Sequence, residues 1–352
     1  MSARSNGLVV LLFMLILLVD NAAAATGGFR FLLWRPSATA TALGGSGVAS
    51  YNSGFSLYYN PALLTECKGI DAAGSYVRPL PFFENIIHSY DGAVFRLDSN
   101  SALGVSGNLS WRGGQLFTSS VGSALGADAG EYFFTGQFKI AYAREIMRGI
   151  SLGASASLLQ HKFFTEEINV GAQTAGPSVR TLLADLGIYA TGLLPAATLK
   201  LSERQPSPIN QQWGSGHSSS GVSAGVSLLH LGPKVTIADA EQAFPPPSLL
   251  LAGVSWFPVT SNWLHLRLAA ELEKQLAESS QLDHIRSGAE LQYSRLLVLR
   301  GGYVLDTDGY RNSYPSWGAG LLFKYGSINV SRYNASLMSS WHFDLRFSLE
   351  LS

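Results

Sequence analysis

The chain has 352 residues, 24 basic and 24 acidic side chains, and 47% hydrophobic residues. Zero net charge offers no electrostatic footprint for nucleic acid, and 14% charged residues is well below the roughly 25% of an ordinary soluble domain. Nor is this a bundle of spanning helices: the only long apolar run, Leu8 to Val19, is twelve residues, where a spanning helix needs roughly 20.

That run reads as the core of a secretory signal. Arg4 supplies the positive leading region, and Asn21-Ala22-Ala23-Ala24-Ala25 supplies the small residues of a site cut after Ala24 or Ala25. Residues 1–25 are therefore set apart as a cleavable signal peptide. The single cysteine, Cys67, lies too far along to carry a lipoprotein anchor and has no partner thiol. An exported chain of this size must be stable through a large core or a closed sheet.

Residues 26–68 contain too few clean alternations for a lipid-facing hairpin. Inside a barrel this stretch must occupy the lumen as a hatch or plug. Its punctuation falls at Gly44 and Gly45 and at Asn60, Pro61 and Ala62. Proline fixes φ and asparagine readily caps or turns, so Asn60-Pro61-Ala62 predicts a rigid bend, serving either architecture or a hatch function.

From 69 to 352 the chain is a run of period-two segments separated by turn residues. Side chains on a strand alternate between faces, so each segment has one apolar and one polar face. Ile150, Leu152, Ala154, Ala156 and Leu158 share a face, as do Leu264, Leu266, Leu268, Ala270 and Leu272. Predicted strands cover 71–79, 87–98, 101–112, 131–146, 149–163, 182–193, 219–231, 248–258, 262–274, 284–293, 296–306, 314–326, 327–334 and 341–351. Fourteen is an even number, which suits an up-and-down barrel whose two ends meet.

The short links 98–101, 148–149 and 257–262 resemble periplasmic turns, and those near 113–130, 164–181, 195–218 and 306–315 resemble extracellular loops. Trp111, Tyr132, Trp256, Trp263, Tyr293 and Trp341 fall near segment ends, where interfacial girdles form. The competing arrangement is a soluble β-sandwich. Strands of ten or more residues argue against it, since globular strands run about 5–6.

The last segment, Trp341 to Leu351, alternates without an error. Its apolar face predicts contact with lipid, and its polar face predicts contact with the lumen. Lumen-facing polar candidates are His265, Arg267, Glu271 and Glu273 together with His342, Asp344, Arg346 and Glu350. They either line a polar conduit or form a salt-bridged interior against the hatch. The predicted fold is thus all-β, a transmembrane antiparallel outer-membrane β-barrel of about fourteen strands with an N-terminal hatch.

Chemistry-bearing motifs are weak. Gly221-Val-Ser223-Ala-Gly225 matches a nucleophile-elbow pattern but opens a strand with no helix after it. Gly45-Ser-Gly47 lacks the third glycine of a dinucleotide loop, and the seven histidines show no metal-ligand spacing. No cofactor, metal or enzymatic activity is expected.

Several stretches resemble the PorV/PorQ family of outer-membrane proteins: Phe29 to Ala49 with its Leu43-Gly-Gly, Leu57-Tyr-Tyr-Asn-Pro-Ala62, Leu228 to Thr236, Pro245 to Trp256, Gly288 to Tyr293, Leu299 to Tyr303 and Trp317 to Phe323. That family is related to FadL-type fatty-acid transporters, fourteen-stranded barrels whose hatch carries a similar Asn-Pro-Ala. The chain departs from it at Thr39 and Thr41, at Tyr51-Asn52-Ser53 and at His230.

The resemblance implies an accessory barrel of type IX-like protein secretion and surface delivery, in the outer membrane of a Gram-negative (diderm) bacterium. Its partners would be outer-membrane lipids, secreted proteins and other secretion-system subunits. The alternative it implies is FadL-like transport of a hydrophobic small-molecule ligand such as a long-chain fatty acid. An outer-membrane lipid-modifying enzyme is a more distant alternative.

Overall fold

The computed structural model describes residues 29–79, 86–112, 117–118, 124–125, 133–162, 168–170, 173–175, 178–193, 221–236, 243–261, 263–276, 282–294, 296–307, 313–335 and 339–350. Its wall is one closed antiparallel barrel of fourteen strands, each paired with its neighbours in sequence. They are β1 Gly69–Val77, β2 Ile86–Arg96, β3 Ser101–Arg112, β4 Phe133–Met147, β5 Ile150–Lys162, β6 Ser178–Ala190 and β7 Val222–Leu231. The second half holds β8 Leu249–Thr260, β9 Leu264–Gln275, β10 His284–Tyr293, β11 Leu297–Asp306, β12 Tyr314–Phe323, β13 Gly326–Tyr333 and β14 Ser340–Glu350.

Closure comes from β1 and β14, which pair from Gly69↔Glu350 to Val77↔His342. Every backbone group inside the sheet then finds a partner on either side, the condition for spanning a bilayer with strands.

The alternation read from the sequence appears as two surfaces. On β14, Trp341, Phe343, Leu345, Phe347 and Leu349 are exposed while His342 and Asp344 are buried. On β5, Leu152 and Leu158 are exposed and Ser151, Ser155 and Ser157 buried. An apolar exterior around a polar interior inverts the soluble pattern and suits a wall surrounded by lipid.

Aromatic side chains pack edge to face near the strand ends. Trp317 and Trp341 have centroids 5.4 Å apart, and Trp263 and Tyr293 lie at 6.2 Å. Tyr132 lies outside the described residues.

At one end the strands are joined by tight links. Asp98 closes the β2–β3 turn by accepting from the amides of Asn100 and Ser101 at 2.7 and 2.8 Å. Arg148-Gly149 joins β4 to β5 with Gly149 at φ +78°. Strand β8 runs past Phe257 and Pro258 to Thr260, across a register shift between Trp256 and Val259. A bulge tolerates Pro258, which has no N–H for the ladder, so this turn is shorter than the 257–262 read from sequence.

Strand parity corrects one expectation. Its length groups the link containing 195–218 with the extracellular loops, yet its flanks sit at the tight-turn end. Thr191 N donates to Gly149 O at 2.8 Å, and Phe257 N donates to Gly221 O at 3.2 Å. Each antiparallel strand reverses direction, so the β6–β7 link must lie with the β2–β3 and β4–β5 turns. Length alone could not reveal this, and residues 194–220 themselves lie outside the described residues.

Candidate functional site

Residues 29–67 fold into short pieces: 3-10 turns at Arg30–Leu33 and Pro61–Glu66, and one-turn helices α1 Ala38–Ala42 and α2 Ser56–Tyr59. Each start has a local cause. Ser37 caps α1 by accepting from Ala40 N at 3.2 Å. Asn60 caps the second 3-10 turn by accepting from Ala62 N at 3.0 Å, with Pro61 first in the turn. After α1, Gly44 and Gly45 adopt φ +70° and +89°, and Gly45 N closes back on Ala40 O at 2.7 Å.

The segment hydrogen-bonds to strands all around the wall. Ser316 on β12 accepts from Gly44 N at 3.1 Å, and Arg286 on β10 donates to Gly44 O at 3.0 Å. On the opposite arc, Tyr90 on β2 donates to Gly54 O at 3.1 Å, and Lys139 on β4 donates to Leu57 O at 3.1 Å. Ser227 on β7 donates to Tyr59 O at 2.7 Å, and Asn60 donates to Ile188 O on β6 at 3.0 Å. A segment bonded to opposite arcs of a closed cylinder is enclosed by it.

The sequence candidates divide between the two partners. Gly44, Gly45, Asn60, Pro61 and Ala62 all lie buried in the segment. Arg267, Glu271, Glu273, His342 and Asp344 are buried on the wall, and Arg346 and His265 are half-buried. Glu350 is exposed at the tight-turn rim, 3.9 Å from Lys68.

Charge is concentrated where β9 and β10 meet the segment. Arg35 is the only charged side chain between residues 31 and 65. Its guanidinium donates to Glu271 Oε1 at 3.0 Å and to Glu273, and its carbon lies 5.5 Å over the Tyr59 ring. Glu271 Oε2 accepts from Gly47 N at 2.8 Å and Val48 N at 2.9 Å. Burial opposes the Arg35 charge, but Glu271 and Glu273 more than reverse that and hold its pKa well above the usual arginine value.

A second network runs along the wall. Arg267 and Arg300 both donate to Glu290 Oε2, at 3.3 and 2.6 Å. Arg300 reaches Asn329 Oδ1 at 2.9 Å, and Asn329 reaches Asp344 Oδ1 at 2.7 Å. The other Asp344 oxygen accepts from Ser37 Oγ and Thr39 N, each at 3.3 Å. Arg346 donates to Asn52 Oδ1 at 2.7 Å. Buried charges need such partners to offset their desolvation.

Sequence reasoning missed Arg35, Lys139, Asp185, Arg286 and Glu290. It also missed a belt of wall glycines on which the segment rests. A Cβ on Gly153 would lie 2.3 Å from Ala62 N, on Gly187 2.0 Å from Asn60 Oδ1, on Gly225 2.1 Å from Val48 O, and on Gly302 2.1 Å from Gly44 N. Gly225 pairs directly with Gly253, and Gly288 with Gly302. Glycine is required there because two backbones touch. The available signal was a glycine recurring on the polar face of successive strands. Ser223 belongs to the same interface: it donates to Ala49 O at 2.9 Å and to Ser255 O at 3.4 Å.

The architecture is found again in solved structures. The CymD monoaromatic hydrocarbon channel superposes with a TM-score of 0.54 at 13% identity, covering 92% of this chain and 100% of its own. The toluene transporter TodX of Pseudomonas putida gives 0.52 at 12%, covering 93% and 98%. The toluene transporter TbuX of Ralstonia pickettii gives 0.51 at 13%, covering 90% and 99%. The chain has the fold of outer-membrane barrels. No protein-family model matches the chain, and no curated protein matches it. The likeness supports neither the PorV/PorQ assignment nor a role in protein secretion.

Proposed function

We propose that the protein is an outer-membrane channel of FadL-like type, taking up hydrophobic small molecules past an N-terminal hatch formed by residues 29–67. The observation that carries the reading is a fourteen-stranded wall whose interior encloses a segment fastened at many points. A water-filled pore needs no such occupant, whereas a selective channel needs a barrier to polar solutes. The full-length likeness to CymD, TodX and TbuX supports this alternative over the secretion reading. The apolar exterior and aromatic strand ends support residence in the outer membrane of a Gram-negative bacterium, with the tight-turn end towards the periplasm.

The test is uptake by liposomes carrying the purified chain, with toluene as probe and a sugar as polar control. Toluene should enter faster than into empty liposomes while the sugar stays out. Equal toluene entry with and without protein would overturn the reading. Co-purification of exported proteins from native outer membranes, in place of small-molecule uptake, would restore the secretion reading.

A further inference from the structure

Both arcs of the wall hold the segment. Towards β5–β12 it meets the glycine belt and the Arg35–Glu271 cluster. Towards β13, β14, β1, β2 and β3 it is held by Asp344, Arg346, Tyr90 and Gly92, and here the wall also gathers buried polar atoms with no hydrogen-bond partner among the described residues, which on β7–β9 occur only singly at His230, Ser255 and Arg267. Apart from Asp71 Oδ1 nearer the tight-turn end, these are both ring nitrogens of His88, both amide atoms of Asn108, His342 Nε2, and the hydroxyls of Ser75, Ser110 and Ser331. All six residues are more than nine-tenths buried.

Register aligns them. Ser110 pairs with His88, His88 with Val77, Val77 with His342, and His342 with Ser331, so four polar residues form one row around a central valine. Two residues deeper, Asn108, Tyr90, Ser75 and Asp344 form the next row. The upper row lies towards the long-link end, bordered by two half-buried aromatics. Trp34 stands edge-on to His88 at 5.4 Å, and Tyr333 lies 5.5 Å from His342.

A buried donor or acceptor left unpaired costs about 1–3 kcal/mol, so a cluster of them marks a place that a guest completes. We propose that this row is a binding site for a neutral, flat, largely apolar molecule that carries hydrogen-bonding groups on its edge, such as a hydroxylated aromatic. Trp34 and Tyr333 take the apolar face, and His88, Ser110, His342 and Ser331 take the polar edge. The guest is neutral because the neighbouring charges are already matched: Asp344 accepts from Ser37 and Asn329, and Arg346 donates to Ser327 and Asn52. The inference rests on the transport reading and names its substrate class.

The experiment measures binding of phenol and of toluene to the full chain in detergent micelles by equilibrium dialysis. The parent should prefer phenol. Replacing His88→Phe with Ser110→Ala, which keeps the aromatic contact to Trp34, should lower the phenol-to-toluene affinity ratio about ten-fold, the effect of losing one or two hydrogen bonds. The outward Gly301→Ala should leave the ratio alone, since nothing lies within 4 Å of its Cβ position. If the double variant loses heat-modifiable migration, Ser331→Ala carries the same comparison and should lower the ratio in the same direction.

An unchanged ratio in a folded variant, or no phenol preference in the parent, overturns the site and leaves the row to water only. Phenol preference without toluene uptake into liposomes overturns the transport reading while the site stands. Toluene uptake without phenol preference does the reverse.

Discussion

Glu271 on β9 binds the N-terminal segment with both carboxylate oxygens: Oε1 accepts from Arg35 at 3.0 Å, and Oε2 accepts from Gly47 N and Val48 N at 2.8 and 2.9 Å. One wall residue thus fixes both a side chain and the backbone turn twelve residues further on. Replacing Arg35 by Met leaves Glu273 to Arg286 and His284, and Glu271 to the Gly47 and Val48 N–H groups, with no guanidinium between the two carboxylates. The expected loss is about 3–5 kcal/mol, the cost of an unpaired buried charge, read as an earlier midpoint of urea unfolding in detergent. Glu271→Gln should cost less, because an amide oxygen still accepts from the two N–H groups.

The glycine belt separates wall stability from segment seating. Gly187→Ala puts a methyl 2.0 Å from Asn60 Oδ1, so the Asn60-Pro61 bend must shift. Overpacking of this kind costs about 1–3 kcal/mol and should appear as faster proteolysis within residues 29–67 while the barrel keeps its heat-modifiable migration. Unchanged proteolysis would show that the segment is not seated on the wall there.

The outer face can be tested on β14 alone. Phe343 and Leu345 are exposed and flank the buried Asp344. Either residue changed to Arg should destabilise the barrel by about 2–4 kcal/mol in bilayers if it lies at the midplane. Refolding titrations in lipid vesicles would measure it, and a neutral result would mean the register faces the other way.

Glu66, at the end of the segment, supplies a pH dependence. Burial, reinforced by the nearby Glu145 carboxylate, raises its pKa from 4.5 to about 7. A carboxyl that binds its proton more tightly when folded stabilises the fold below its unfolded pKa, and that contribution fades as pH rises from 4.5 through 7. The fade is on the order of 3 kcal/mol. Glu66→Gln should flatten stability across this window in urea titrations at stepped pH, and an unaltered slope would assign the dependence to another group.

Much of the wall was legible in the sequence. All fourteen strands lie within a few residues of where alternation put them, because each strand carries its own record of which face meets lipid. The sixth strand starts earlier than read, at Ser178, since Ser178-Val-Arg-Thr looks like loop until it is paired with Leu159–Lys162. The five missed ionisable residues were harder. Lys139 and Asp185, 2.5 Å apart, stand on strands separated in sequence by all of β5, so no local pattern joins them.

The sequence by itself determined that this chain alternates two chemically opposite faces along strands long enough to cross a bilayer, since that information repeats every two residues. Only the tertiary structure decided which inward residue meets which part of the segment. Arg35 and Glu271 are 236 positions apart, and the β6–β7 link falls at the tight-turn end because it is the sixth reversal of the chain. Closure of the cylinder sets both, and closure is a property of all fourteen strands together.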